Sequence, residues 1–465
     1  MENILLDLNF FKHNIDPLTY RKNKPNEDSG FYVPDDFDKV ENKYKRQIRI
    51  LSLMLTEDCN LRCTYCFELH KNPRKMTLDD AKRAIDILFG DIDDERFAKF
   101  AVDKRICLNL MGGEPLLEDK LAYDAIKYFE KKINDSKIDI DWIVWIPTNG
   151  TYYFSEYSQK IVNEFGNRLE LVVSLDGCKE CHDSCRIHED GSGSYDEAKK
   201  AYDHYRKNHI KIASSKFTIS PFNLKYFEKS LKEFVDDGVI NIFSNWEQED
   251  YYSPELANQY YKACVNITDY ILKKDLEFDV RCSIFNRSTD IAKDQWSNWP
   301  MCDGCGHELS IFPGGDVYSC NRLAPISLKD KNCEGMKLGN IWEGLDINGK
   351  YKENFDQVSR VDRVNTSPYK CYNCPLSSHC NTCIGDSYYK HGTIFQKDTI
   401  ESCNMFIADH LARIYAINMI YRKHEQDDSG YFFKSYKCYV PKSMAIPIIG
   451  EDEYNKLKLL SKERI

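Results

Sequence analysis

Three cysteines, Cys59, Cys63 and Cys66, fall within eight residues of a 465-residue chain, in the stretch EDCNLRCTYCFE from Glu57 to Glu68. Their C-x3-C-x2-C spacing supplies three thiolates, one fewer than a closed [4Fe–4S] cluster or a structural zinc site requires. Three ligands around a four-iron cube leave one iron open to something else. A zinc site completed by a distant Cys or His fits the same spacing, as does a chance grouping in a cysteine-rich chain. A second field follows: Cys302, Cys305, Cys320, then Cys371-x2-Cys374-x5-Cys380-x2-Cys383 and Cys403. The 19 cysteines are an odd number, and MENILLDLNFFKHN lacks the basic start and long apolar run of a secretory signal. The expected compartment is the reducing cytoplasm, where clustered thiols bind metal or do thiol chemistry rather than form a disulfide framework.

Composition bounds the partners. With 42% hydrophobic and 30% charged residues the chain is globular, long enough for two or three domains. A net charge of -10 argues against nucleic acid or an anionic membrane as the main partner. No run approaches 18 apolar residues, so no membrane span is expected.

The elements that must position these thiols alternate. IRILSLML (48–55) reads as a buried strand running straight into the first cysteine loop, and TLDDAKRAIDILFG (Thr77–Gly90) as a capped amphipathic helix. RICLNLM, DWIVWIP, LELVVSLD, KIASSKFTI and VINIFSN are further strands, separated by helical stretches such as EDKLAYDAIKYFEKKIND and LKYFEKSLKEFVDDG. Six strands alternating with helices imply an α/β fold with a parallel sheet and right-handed crossovers, with functional loops at the C-terminal strand ends. Periodicity does not say whether the sheet closes. From Cys302 to Cys403 the long periodic runs give way to glycines, prolines and nine cysteines, a region expected to lean on metal for its fold. DHLARIYAINMIYRKHEQ, near the end, reads as a helix that docks back on the main domain.

Four stretches at the strand ends resemble those of the radical S-adenosylmethionine (SAM) enzymes: MGGEP (Met111–Pro115), TNG (Thr148–Gly150), SLDG (Ser174–Gly177) and HDSCR (His182–Arg186). The resemblance covers residues 48–250. It implies that Cys59, Cys63 and Cys66 hold a [4Fe–4S] cluster whose open iron chelates SAM, and that one electron then releases a 5′-deoxyadenosyl radical. It places Gly112, Gly113, Glu114 and Pro115 at the SAM amino group, Ser174 at the ribose, Arg186 at the carboxylate and Tyr65 near the adenine. Thr148, Asn149 and Asp176 complete the implied cofactor site.

The second field, with Gly315-x4-Cys320 and LGNIWEG (Leu338–Gly344), resembles the SPASM extension of peptide-modifying radical SAM enzymes. That extension implies two auxiliary [4Fe–4S] clusters, three in all. By analogy Cys302, Cys305, Cys320 and Cys383 hold one, and Cys371, Cys374, Cys380 and Cys403 the other. The gap of two residues before Cys383, where the family commonly has three, departs from the pattern, and a double zinc site is the alternative. The implied layout is an N-terminal extension (1–46), a partial (β/α)6 TIM-barrel core (47–295), a SPASM domain (296–410) and a C-terminal helical segment (411–465). Cys107 reads as a strand residue, and Cys264, Cys282, Cys333 and Cys438 as isolated thiols. Cys178, Cys181 and Cys185, beside His182 and His188, are either a further metal site or loop thiols.

The implied function is maturation of a ribosomally made, cysteine-containing precursor peptide by hydrogen abstraction and cross-linking, a thioether above all, with flavodoxin or ferredoxin as electron donor. An anaerobic sulfatase-maturing activity is the close competitor. It uses an aspartate after the Gly-x4-Cys cysteine, where this chain has Asn321, which cannot accept a proton at neutral pH, although Asp316 is near. No catalytic base is assigned. Only 58 residues precede Cys59, short for a leader-binding module plus a strand. A non-enzymatic zinc or iron–sulfur scaffold is the remaining alternative, and it gives no reason for GGEP and SLDG to follow strands.

Overall fold

In a computed structural model of the chain, the described residues are 47–97, 100–136, 140–209, 213–282, 302–345, 349–361, 383–396, 403–424 and 440–462, with single positions 366, 371, 374, 376 and 380. The expected N-terminal extension, the boundary near residue 296 and Cys438 lie outside them.

The six strands are β1 (Gln47–Met54), β2 (Ala101–Met111), β3 (Asp141–Thr148), β4 (Leu169–Ser174), β5 (Ser214–Ile219) and β6 (Asn241–Trp246), all paired parallel in sequence order. Each is followed by a helix: α1 (Leu78–Phe89), α2 (Asp119–Asp135), α3 (Glu156–Phe165), α4 (Tyr195–Asn208), α5 (Phe227–Asp236) and α6 (Pro254–Lys273). Local chemistry sets the ends as expected. The Thr77 hydroxyl accepts from the Asp80 N–H at 3.0 Å and the Asp80 carboxylate from the Thr77 N–H at 3.0 Å. Such a capping box stabilises a helix by about 1 kcal/mol.

Alternation along the strands builds two unlike faces. Leu51, Leu53, Leu108, Leu110, Val144, Ile146, Leu171, Val173, Phe217 and Ile242 are buried in the main core. The opposite face, here the lumen, carries Ser52 and Asn109, which are buried, and Trp145, Glu170, Ser174, Lys216 and Phe243, which are half-buried or exposed. Its β3 to β6 side is therefore the open one, and alternation along each strand separates it from the core face.

The barrel does not close. Sheet order is β6-β5-β4-β3-β2-β1-β7-β8-β9, so the free edge of β1 is taken by β7 (Glu308–Ile311), parallel to it, instead of by β6. β8 (Asp316–Tyr318) and β9 (Gly339–Asn340) add antiparallel. The first part of the cysteine-rich region is thus an extension of the same sheet. Gly315, of the Gly-x4-Cys motif, shapes the β7–β8 turn: it has φ +91°, and a Cβ there would stand 2.6 Å from Ile341 Cγ1. LGNIWEG docks on α1, with Trp342 Nε1 donating to Asp80 at 2.7 Å. A small separate core, Cys305, Leu323, Met336, Val358, Val361, Ile384 and Ile394, joins this hairpin to helices α7 (Lys352–Arg360) and α8 (Ile384–His391).

Helix α9 (Cys403–Lys423) lies along α6, with Tyr260 donating to Asp409 at 3.0 Å and Tyr415 to Asp269 at 2.8 Å, so the C-terminal helix docks on the barrel as its pattern suggested. α10 (Lys442–Ile449) and α11 (Glu451–Lys462) pack beside it. Among the described residues no helix is long and apolar enough to cross a membrane.

Candidate active site

The cysteine loop leaves β1 at the C-terminal face and is tied to the ends of its neighbours. Thr64 N–H donates to Cys185 O at 2.9 Å and Arg62 N–H to Ile187 O at 2.7 Å. Asn149 Nδ2 donates to Asn60 Oδ1 at 2.9 Å, and on the far side Leu69 N–H donates to Ile326 O at 2.7 Å. The loop therefore bridges the β3 and β4 ends to the cysteine-rich extension.

Its thiols fit a cluster. Cys59 is buried and its sulfur accepts the Leu61 N–H at 3.4 Å. Burial pushes the Cys59 thiol up to about 12 and that of Cys63 up to about 11, so deprotonation needs a cation placed against them. Cys59, Cys63 and Cys66 are the residues of this loop that would hold a cluster, each thiolate on its own iron.

Lys71 adds a contact that the sequence did not announce. Its ammonium donates to Cys66 Sγ at 3.4 Å and to Glu68 Oε2 at 2.7 Å. Burial alone lowers a lysine, but here Glu68 and Cys66 outweigh it and the net shift is upward. Were Cys66 to ligate a cluster, as the resemblance implies, a cation on its sulfur would stabilise the electron that reduction adds. Lys71→Met is expected to move the midpoint potential of the cluster held by this loop to more negative values, and Glu68→Gln to more positive ones. An EPR-monitored redox titration checks both signs.

Behind the loop, Asp176 is the hub. Its carboxylate takes Arg186 Nε at 2.9 Å, Arg186 Nη2 at 3.3 Å and the Thr218 N–H at 2.9 Å, and it also accepts the Tyr65 hydroxyl. The Arg186 guanidinium lies 5.3 Å from the centre of the Tyr65 ring. SLDG, HDSCR and the aromatic before Cys66 thus meet at one buried charge pair. His182 fixes its far side: Nδ1 accepts the Asp176 N–H at 3.2 Å, so Nε2 carries the proton and donates to Ser194 Oγ at 3.0 Å, which donates to Arg186 O at 2.9 Å.

Burial lowers His182 to about 4. An ordinary unfolded histidine titrates near 6.5, so between pH 6.5 and 4 the unfolded chain binds more protons and stability falls on acidification. This side chain contributes about 3 kcal/mol that is present above pH 6.5 and lost as pH falls through 4. Urea midpoints measured from pH 7 to 5 are expected to drop more steeply in the wild type than in His182→Asn.

Glu114, of MGGEP, is buried, and its carboxylate accepts Thr148 Oγ1 at 2.7 Å, the Asn149 N–H at 2.7 Å and the Leu116 N–H at 3.0 Å. It therefore clamps the β2 turn to TNG. Burial raises it to about 7. Gly113 is needed for close approach: a Cβ would stand 2.2 Å from Asp58 O and 2.9 Å from Cys59 Cβ, so this glycine seats the cysteine loop on β2. Pro115 starts a short 3-10 turn.

The second thiol field gathers at the rim. Cys302 and Cys305 sulfurs stand 3.9 Å apart. A Cβ on Gly304 would meet Cys320 Cβ at 3.1 Å and Cys302 Sγ at 3.5 Å. After burial, which raises the Cys320 thiol most, Glu308, Cys383 and Cys302 push it up further. Cys302, Cys305, Cys320 and Cys383 thus share a neighbourhood, the set that the resemblance implies, Cys383 included. Cys371, Cys374 and Cys380 are described singly, among residues that mostly lie outside the described ones, and Cys403 opens α9.

Cys178, Cys181 and Cys185 are buried against the 220–230 segment. Ser230 Oγ donates to Cys178 Sγ at 3.4 Å, and burial raises the Cys178 and Cys181 thiols. They sit as packed core thiols around the Asp176 turn. Cys107 lies half-buried on the lumen face of β2, and Cys264 and Cys282 are buried.

Sequence reasoning missed Glu247, just after β6, which burial and Asp250 raise to about 7. It also missed Gln248, whose side chain accepts the Cys383 N–H at 3.2 Å. The only signal was their place after a predicted strand.

Several known proteins are similar to this chain. A family described as a 4Fe–4S single cluster domain matches residues 48–198. The radical SAM cyclopropyl synthase TigE of Paramaledivibacter caminithermalis is 23% identical over 381 residues, covering 77% of this chain and 72% of that protein. A serine-type anaerobic sulfatase-maturating enzyme of Bacteroides thetaiotaomicron is 23% identical over 354 residues, 70% of this chain and 79% of that protein. Among solved structures, anSMEcpe with bound AdoMet superposes with a TM-score of 0.58 at 18% identity, over 81% of this chain and 99% of that one. Streptococcus suis SuiB bound to its precursor peptide SuiA gives 0.52 at 15% identity, over 78% of each chain. At such identities the superpositions show a shared fold.

Proposed function

We propose that this chain is a radical SAM enzyme that matures a ribosomally made, cysteine-containing precursor peptide, removing a hydrogen atom and closing a thioether cross-link. The observation that carries this reading is the open lumen beside the second thiol field. Its wall bears Ile143, Trp145 and Phe243, exposed by 40%, 37% and 53%, which a closed, self-filled barrel would bury. SuiB, with this fold, is known bound to a precursor peptide.

When bound, the cluster and SAM supply a 5′-deoxyadenosyl radical. This chain's own residues do the rest. Cys59, Cys63 and Cys66 hold the cluster, and Gly113 and Glu114 seat their loop on the β2 and β3 ends. Asp176, Arg186 and Tyr65 fix the wall beside it, with Ser174 facing the lumen. Cys302, Cys305, Cys320 and Cys383 hold an auxiliary cluster at the rim, and Cys371, Cys374, Cys380 and Cys403 the other. Glu247 is the carboxyl group suited to take a proton near neutral pH beside that rim, its neighbours being Asp250 and Arg322. Asp316 is unsuited, being held by Lys337 at 2.7 Å and Asn340 at 2.9 Å.

The similarity to TigE supports a second reading, closure of a carbon ring in place of a carbon–sulfur bond. Mass spectrometry of the peptide encoded beside the gene, after anaerobic incubation with SAM and reductant, separates these. A thioether removes two hydrogens and one alkylatable thiol. Ring closure removes two hydrogens and leaves every thiol open. A product that has lost its sulfur and traps hydrazine identifies formylglycine instead and overturns both.

A further inference from the structure

Two hydrogen-bond relays run along the lumen face and end at the same tryptophan. On one side Ser310 and Ser52 donate to Glu308 Oε1 at 2.8 and 2.7 Å. Because the Ser52 hydroxyl proton is spent on that carboxylate, its oxygen accepts Asn109 Nδ2, at 2.8 Å. That fixes the amide. Asn109 Oδ1 is the end left over, and it is buried with no donor among the described residues. Asn109 is 6% exposed, so this acceptor is kept from bulk water and favours any donor brought to it.

On the other side Asn241 Nδ2 donates to Ser214 Oγ at 2.7 Å, and Ser214 Oγ donates to Glu170 Oε1 at 3.1 Å. Among the described residues the second Glu170 oxygen has no partner, and no cation pairs with Glu170 or Glu308. Arg105 and Arg168 are both held by Asp141, and Lys216 is drawn to Asn245 and Asp176. Strand register brings the two relays together: Asn109 is the β2 partner of Trp145, and Glu170 is its β4 partner. Neighbouring strands lie about 4.8 Å apart, so the pair flanks the indole across about 10 Å. Trp145 is 37% exposed and presents its ring between an unmet amide oxygen and an unpaired carboxylate. Burial raises the nearby Cys107 thiol to about 12, and Glu308 and Glu170 add to that rise, so both carboxylates act on one stretch of lumen.

We propose that Trp145, Asn109 and Glu170 form a subsite for a basic side chain of the peptide substrate, arginine above all. The cation lies over the indole, one N–H donates to Asn109 Oδ1 and another to the Glu170 carboxylate. A guanidinium suits this frame because it is planar, stacks on an aromatic ring and carries donors on more than one edge, whereas an ammonium is a point charge. Its charge answers a wall with two carboxylates and no paired cation. The three residues lie within their strands, before the ends that carry MGGEP, TNG and SLDG, so the subsite is separate from those motifs. The inference names a substrate feature for the peptide-maturase reading above and rests on it.

The test compares anaerobically reconstituted holoenzyme in wild-type, Glu170→Gln, Glu170→Asp and Trp145→Leu forms, with iron per chain measured to show that each is intact. Fluorescence anisotropy follows labelled Gly-Ser peptides that carry one arginine or one citrulline, its neutral isostere. Wild type is expected to bind the arginine peptide about 10- to 100-fold more tightly. Glu170→Gln should remove most of that preference, Trp145→Leu should lower it, and Glu170→Asp should keep part of it. Equal binding of the two peptides by wild type overturns the subsite, as does a preference that survives intact in Glu170→Gln. A second arm uses the precursor encoded beside the gene, with arginine or citrulline at its basic positions. The citrulline form is expected to be modified with a raised KM and a retained kcat, and an equal KM for both forms overturns the subsite. If wild type prefers the arginine peptide but modifies no precursor, the maturase reading has failed and the subsite stands.

Discussion

Cys63→Ala is expected to form no 5′-deoxyadenosine above background, while the iron that the proposed function assigns to the second thiol field stays bound. Two thiolates cannot hold a cube in the register that leaves one defined iron open, and no other described cysteine stands within the 57–68 loop to replace the third. Because burial holds the Cys59 and Cys63 thiols protonated unless a cation sits against them, loss of one ligand also weakens the drive to deprotonate the others. Iron per chain, the EPR signal of the reduced protein and the 5′-deoxyadenosine yield should all fall together. Cys181→Ala is the contrast. Its buried thiol packs against the Asn223 backbone, and its loss should cost stability without abolishing turnover. Full turnover in Cys63→Ala would place the cluster elsewhere.

Asp176→Ala is expected to cost about 3–5 kcal/mol of stability, as removing one partner of a buried ion pair does, since Arg186 is left charged and enclosed. The Tyr65 hydroxyl and the Thr218 N–H lose their acceptor in the same change. Denaturant midpoints measure the loss. Asp176→Ala with Arg186→Leu should recover part of it, because the double change removes the orphaned charge. A single-variant loss below about 1 kcal/mol would show that water enters the pair freely.

The sequence carried the barrel's elements because strand and helix periods are local. Thr77 and Gly90 bracket α1, and the six strand runs became β1 to β6. Closure was not legible, since it depends on which strand reaches the edge of β1, and the answer, β7, lies over 250 residues away. The chemistry-bearing motifs were legible because each is a short run at a strand end. What joins them was not. The Asp176–Arg186 pair, the grip of Glu114 on Thr148 and Asn149, and the contact of Lys71 with Cys66 depend on distances across loops.

The most direct test is hydrogen transfer itself. Holoenzyme would be incubated with SAM, reductant and a precursor peptide deuterated at its side-chain and Cα carbons, and the 5′-deoxyadenosine weighed. Deuterium in 5′-deoxyadenosine, in step with modified peptide, is the predicted result, because the radical would have taken its atom from the peptide. Unlabelled 5′-deoxyadenosine beside an unchanged peptide, with the encoded precursor present in excess, would contradict the claim that this enzyme acts on that peptide.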